Sequence, residues 1–178
     1  MSAQHSIVHL ALGSNLGNRE ATLRAAVEAV GRLRGTRVVA VSHGYETEPW
    51  GVADQPAFLN AAVAIETSLE PVELLRALKD VERALGRTSA GVKWGPRVID
   101  IDIVLWGDLQ LSGPELVVPH PEFRRRAFVL APLAEIAGEA RDPVTGMTVE
   151  ELLRRPEVEG RAIKAKPICP QIDTDTHG

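Results

Sequence analysis

The stretch VIDIDIVL, residues 98–105, most restricts what this chain can become. It reads as a buried strand, yet Asp100 and Asp102 are set among its aliphatic residues. Side chains alternate across a strand, so Val98, Asp100, Asp102 and Val104 share one face, and Ile99, Ile101, Ile103 and Leu105 line the other, the core side. The two carboxylates then lie about 6–7 Å apart at their Cα atoms. Buried and unpaired they would be costly, and as like charges they raise each other's pKa. A strand of this kind needs a sheet with one dry face and one face that either meets water or holds a cation. Hard carboxylate oxygens that leave coordination room for phosphate suit Mg²⁺.

The rest of the chain supplies the partners for such a strand. SIVHLAL reads as a first strand, closed by the turn-rich GSNLGN. From Arg19 the period becomes helical, with Leu23, Ala26, Val27 and Val30 as the stripe. Residues 36–47 read as one long strand, 48–56 as a Pro- and Gly-containing loop, and 57–67 as a third strand. Pro71 suits the first turn of a helix with the stripe Leu74, Leu75, Leu78, Val81 and Leu85, stopped at Gly86. A small-residue loop at 87–96 leads into the aspartate strand. Short strands near residues 109–111 and 116–118 follow, then a helix carrying Pro132, and a last helix opened by a Thr148–Glu151 capping box. The order predicts an α+β fold: a ferredoxin-like α/β sandwich with a mainly antiparallel sheet, helices packed on one face, and the active site beside the sheet and its loops. Residues 1–160 form a single domain in this reading, and 161–178 a polar, flexible tail.

Composition narrows the partners. A net charge of −4 argues against a general nucleic-acid or membrane-surface binder, so an anionic ligand must be held by a local basic cluster. The single cysteine, Cys169, excludes an intrachain disulfide and points to a reducing, cytoplasmic setting. No segment approaches transmembrane length, and the first apolar run has no basic region before it. Basic residues gather at Arg87, Lys93 and Arg97 before the aspartate strand and at Arg124, Arg125 and Arg126 after it, which suits polyphosphate. Of seven aromatic residues, Trp50, Phe58, Trp94, Phe123 and Phe128 fall in or beside loops, a placement that suits a pocket for a flat ligand. GSNLGN lacks the G-K-[ST] of a Walker A loop and is read as a tight turn that opens a helix at Asn18, with a secondary role in supporting the pocket. The histidines have no metal-ligand spacing, so no zinc site is expected.

KWGPRVIDIDIV, together with ALGSNLGN, YETEPWG, DQPAFLNAAVAIETSL and VPHPEFRRRAFVLAPL, resembles the 6-hydroxymethyl-7,8-dihydropterin pyrophosphokinases of folate biosynthesis over roughly residues 7–155. The resemblance implies transfer of pyrophosphate from MgATP to the pterin hydroxymethyl group, with release of AMP. It implies two Mg²⁺ ions held by Asp100 and Asp102, and Arg87 and Arg97 acting on the phosphates. ATP, the co-substrate, would meet Lys79, Glu82, Trp94, Arg97, Ile103, His120 and Arg126. The pterin would stack between Phe58 and Phe128, with Asn60 reading its edge and Thr47, Glu48, Trp50, Trp94 and Asp100 completing its site. Ser89 and Glu115 stand where some members carry Arg. The expected partners are small molecules only, with no nucleic acid and no membrane, and the expected state is a monomer. Two other readings fit the residues alone: another Mg²⁺-dependent nucleotidyltransferase, which would release pyrophosphate, and a ferredoxin-like small-molecule-binding regulator without chemistry.

Overall fold

Val8, Leu10 and Leu12 alternate with less buried neighbours along the first strand, and this pleat organises the molecule. The structure is a computed structural model and describes residues 5–47, 57–86 and 98–169. Strands β1 (Ser6–Ser14), β2 (Thr36–Val41), β3 (His43–Thr47), β4 (Phe58–Thr67) and β5 (Asp100–Trp106) are joined by β8 (Ala162–Pro167) in one sheet. Its order is β5-β1-β4-β3-β8, with β2 pairing β4 alongside β3, and every pairing within it is antiparallel. A two-stranded ribbon, β6 (Leu111–Ser112) and β7 (Val117–Val118), lies apart.

Helices α1 (Arg19–Gly31) and α2 (Pro71–Ala84) cover one face of the sheet. The Asn18 side chain accepts the Ala21 N–H at 3.1 Å and so starts α1. Pro71 opens α2, and Gly86 ends it with φ +116. Leu23, Ala26, Val27 and Val30 of α1 and Leu74, Leu78 and Val81 of α2 pack on Val8, Leu10, Leu12, Ile101 and Ile103. Burying each of these Val, Leu and Ile side chains contributes about 1.5–3 kcal/mol.

The α+β class and the antiparallel sheet are as the sequence predicts, whereas the helices occupy both faces. Helix α3 (Ala127–Ala137) and helix α4 (Val149–Leu153) cover part of the second face, where Phe123, Val129, Leu130, Leu133, Val149 and Leu152 pack on Ala62, Val104 and Leu105. The sequence of α3, AFVLAPLAEIA, is apolar almost all round, and such a helix needs neighbours on more than one side. The capping box of α4 forms as read, with Glu151 N–H to Thr148 Oγ1 at 3.1 Å and Thr148 N–H to Glu151 Oε1 at 3.2 Å.

Three local expectations change. Residues 36–47 are two strands, because Ser42 Oγ accepts the Ala62 N–H at 2.8 Å and donates to the His43 carbonyl at 2.7 Å, breaking the ladder between β2 and β3. Leu105 belongs to the second face, because the pairing of β1 with β5 shifts register between His9 and Leu10, opposite Val104. Residues 162–167, read as tail, form β8 and pair with β3, Tyr45 opposite Lys164. Residues 170–178 lie outside the described residues. Among the described residues no helix is long and apolar enough to cross a membrane.

Candidate active site

The second face is open beyond the start of α3, and a cavity of about 570 Å³ lies there. The pleat supplies its floor: Ala11 and Gly13 from β1, Thr47 from β3, Phe58 and Asn60 from β4, and Asp100, Asp102 and Val104 from β5. These positions are two apart on each strand, so one register puts all of them on the same face. The walls are His120 from the turn after β7, Arg125 and Arg126 around the start of α3, and Phe128 and Val129 from its first turn. Eight residues singled out in the sequence therefore meet in one cavity: Thr47, Phe58, Asn60, Asp100, Asp102, His120, Arg126 and Phe128.

Each is held by local chemistry. Asn60 is buried, and its Nδ2 donates to Thr47 Oγ1 at 3.0 Å, which leaves its carbonyl oxygen turned elsewhere. A Cβ added at Gly13 would lie 2.8 Å from that oxygen, so the strand must carry glycine here to let the amide keep its place. The Glu122 N–H donates to His120 Nδ1 at 3.1 Å, which puts the proton of the neutral ring on Nε2. The Arg126 guanidinium stands 5.6 Å from the centre of the Phe128 ring.

Burial raises the pKa of Asp102, and Asp100 raises it further, while His120, Lys79 and Arg126 pull it down. Burial lowers the pKa of His120, helped by Arg126 and opposed by Asp102 and Glu122. The carboxylate is thus uncomfortable as an anion and the imidazole uncomfortable as a cation, a pairing common at functional sites. A divalent cation fits this donor set. Among the described residues no three His, Cys, Asp or Glu side chains gather closely enough to enclose a metal, so the carboxylates would supply part of a shell that phosphate oxygens complete.

Other expected residues fall elsewhere. Ile103 faces the core under α1 and α2, so its side chain does not reach the cavity. Glu82 is buried on α2, and its Oε2 accepts the Ile101 N–H of edge strand β5 at 2.8 Å, with Lys79 Nζ 4.0 Å from its other oxygen. Neither Lys79 nor Glu82 lines the cavity, although the Lys79 charge acts on Asp102 across the strand edge. Glu48, Trp50, Arg87, Trp94 and Arg97 lie outside the described residues. Arg124 is committed to structure, forking onto Asp142 at 2.5 and 2.9 Å. Phe123 touches the cavity wall but is fully buried in the second core.

Gly13 and Glu159 also line the cavity. For Gly13 the signal is local, a glycine ending an apolar strand in ALGSNLGN. Glu159 gives no local signal. Its backbone straps the start of α3, donating to the Arg125 carbonyl at 2.7 Å and accepting from Ala127 N–H at 3.1 Å.

Same-face carboxylates, a histidine, two arginines and the phenyl rings of Phe58 and Phe128 line one cavity on an antiparallel α+β sheet, a lining that suits an anionic, ring-bearing small molecule. The chain matches the 7,8-dihydro-6-hydroxymethylpterin-pyrophosphokinase (HPPK) family over residues 9–138 and belongs to it. It is 49% identical over 152 residues to the 2-amino-4-hydroxy-6-hydroxymethyldihydropteridine pyrophosphokinase of Methylorubrum extorquens, covering 85% of this chain and 94% of that one. The protein of the same name from Bacillus subtilis is 45% identical over 147 residues, 83% of this chain and 87% of that one. In fold, the chain is similar to crystalline wild-type Plasmodium falciparum HPPK-DHPS, with a TM-score of 0.68 at 16% identity; the match covers 85% of this chain and 45% of that larger one.

Proposed function

We propose that this protein transfers pyrophosphate from ATP to the hydroxymethyl group of 6-hydroxymethyl-7,8-dihydropterin and releases AMP, a step of folate biosynthesis. Membership of the family supports the reaction. The observation that carries the site is the one cavity that Asp100 and Asp102 line together with Phe58, Asn60 and Phe128.

The pterin ring stacks between Phe58 and Phe128, and the carbonyl oxygen of Asn60 accepts from its N–H edge. The hydroxymethyl oxygen then points along the floor toward β5. Phosphates lie over Asp100 and Asp102, which would hold two Mg²⁺ ions, and His120 Nε2 and Arg126 donate to phosphate oxygens. Mg²⁺ bound there neutralises charge on the triphosphate. The hydroxyl oxygen attacks the β-phosphorus, the bond from that phosphorus to the α-bridging oxygen breaks, and AMP leaves with that oxygen. The hydroxyl proton passes to solvent. Glu48, Trp50, Arg87, Trp94 and Arg97 complete the binding of both substrates, and Lys79 biases the carboxylates from the strand edge. The protein works as a cytoplasmic monomer with small-molecule substrates only.

The deciding experiment mixes protein, MgATP and the hydroxymethyl-dihydropterin and identifies the nucleotide product. AMP with the pterin diphosphate supports this reading. Released inorganic pyrophosphate would favour a nucleotidyltransferase, and pterin binding without ATP turnover a regulator.

Phe58→Ala and Phe128→Ala are each expected to weaken pterin binding by about two- to tenfold with ATP binding unchanged, since each removes a stacking face worth about 0.5–1.5 kcal/mol. Calorimetry with each ligand separately reads this, and equal losses for both ligands would make the rings mere supports of the fold. Gly13→Ala should displace the Asn60 amide from Thr47 and raise the KM for pterin by about tenfold, the effect of one lost hydrogen bond. An unchanged KM would show that the amide does not read the ring.

A further inference from the structure

Outside the cavity, the described residues hold one concentrated polar cluster between α3 and the sheet. Glu135 on α3 is largely covered, its side chain 22% exposed. Its Oε1 accepts the Tyr45 hydroxyl at 2.7 Å and the His43 N–H at 3.1 Å. Its Oε2 lies 2.8 Å from His43 Nδ1, which must be the donor because a carboxylate only accepts. Lys164 of β8 approaches the same carboxylate at 4.0 Å. One side chain therefore ties a helix to two neighbouring strands.

Its position relative to the cavity gives the cluster a use. Phe128 and Glu135 are seven residues apart on α3, about two turns, and so lie along one side of the helix. Tyr45 and Thr47 are two apart on β3 and share the cavity-side face. In register, Tyr45 faces Asn60 and Thr47 faces Phe58 across β3 and β4. The cluster thus joins the helix bearing one ring of the pocket to the strands bearing the other ring and the Asn60–Thr47 pair. The opposite end of α3 is fastened independently, by the Glu159 carbonyl on Ala127 N–H.

We propose that Tyr45, His43 and Glu135 are positioning residues for the pterin pocket, setting the gap between Phe128 on α3 and Phe58 on β4. The inference rests on the pterin reading above and adds the groups that fix the spacing of its rings. The electrostatics agree with the geometry. Burial alone would raise the Glu135 pKa, but the hydrogen bonds from His43 and Tyr45 outweigh it and hold the carboxyl below its usual range. Burial, then the bond and charge of Glu135, push the Tyr45 phenol up, so the hydroxyl stays a donor.

The test compares Tyr45→Phe, Glu135→Gln and Glu135→Ala in the full-length protein. Steady-state kinetics would be measured against the hydroxymethyl-dihydropterin and ATP separately. Tyr45→Phe and Glu135→Ala are expected to raise the KM for pterin by about tenfold, the worth of one misplaced stacking face, with the KM for ATP and kcat within about twofold. Glu135→Gln keeps an acceptor for Tyr45 and is expected to recover most of the loss. A pterin KM unchanged in Glu135→Ala, or pterin and ATP KM values rising together, would overturn the assignment. A parent protein that fails to turn over pterin would sink the functional reading instead. In that case hydrogen exchange without ligand still decides the tether: amides of Val129 and Leu130 should exchange faster in Glu135→Ala than in the parent while those of β1 do not. Equal rates would overturn it.

Discussion

Asp102→Asn is expected to lower kcat by about 10²–10³-fold, a typical loss when one preorganised electrostatic partner of a reaction is removed, while the protein stays folded and becomes no less stable. The two halves have one cause. Asp102 sits beside Asp100 in a partly desolvated cavity, and burial followed by the Asp100 charge raises its pKa. A carboxyl raised above its unfolded value weakens the fold at pH values where it is ionised and relieves it as pH falls through the folded pKa. Asparagine keeps the volume and removes that repulsion. At neutral pH without ligand, thermal unfolding of the variant should occur at or above the parent's midpoint. With MgATP the order should reverse, because the parent gains more from a ligand that the variant binds poorly. Near-normal turnover in Asp102→Asn, or a large drop in ligand-free stability, would show that the carboxylate is there for the fold.

Arg124→Ala is expected to have the opposite profile, a loss of about 3–5 kcal/mol in stability with little effect on pterin affinity in the molecules that remain folded. Asp142 is 0% exposed and takes both ends of the Arg124 fork, the Val144 N–H at 3.0 Å and the Thr145 hydroxyl at 2.8 Å. Removing the guanidinium leaves a buried carboxylate short of its cation. That loss is a large fraction of the 5–15 kcal/mol that holds a domain of this size together. Burial alone would raise the Asp142 pKa, but the Arg124, Thr145 and Val144 bonds outweigh it and hold the carboxyl below its ordinary range. A lowered carboxyl contributes stability above its unfolded pKa and loses it as pH falls through the folded value. The parent should therefore keep this contribution until pH drops below the usual carboxylate range, and the stability deficit of Arg124→Ala should shrink as pH falls, because protonation relieves the carboxyl that has lost its cation. Urea titrations across acid pH would read both, and a variant as stable as the parent would show the pair to be dispensable.

These two aspartates also mark the limits of what the residues reveal on their own. Asp102 was legible because alternation is local: two carboxylates at one spacing in one apolar strand declare a face. Phe58 and Asn60 of β4 share a face by the same period, whereas His120, Arg126 and Phe128 reach the cavity from a turn and a helix that no strand period describes. Arg124 was not separable from Arg125 and Arg126, since nothing local tells which of three consecutive arginines finds a buried partner 18 residues on. Strict alternation puts Leu105 on the wrong face, because a bulge alters the count without a glycine or proline to announce it. In β8 the burial alternates weakly and most positions are exposed, so AIKAKP carries no apolar period, and its strand state comes from the free edge of β3. The covered second face was foreshadowed only by the all-round apolarity of α3. Contacts that depend on a distant backbone, as at Glu159, leave no trace in their own neighbourhood.

The pairing of β8 with β3 also bears on how the chain acquires its shape. β3 comes early in the sequence and β8 late, so during synthesis the strand that carries Tyr45 and Thr47 is made long before its outer neighbour. Until then β3 is the bare margin of the sheet, able to pair with a stray strand from another chain. Contacts between such distant segments form slowly, because a long loop must close before any bond rewards it. The cavity-lining strand β3 is therefore the part of the sheet that waits longest for its last neighbour, and a nascent chain stalled before residue 162 would leave that margin uncovered.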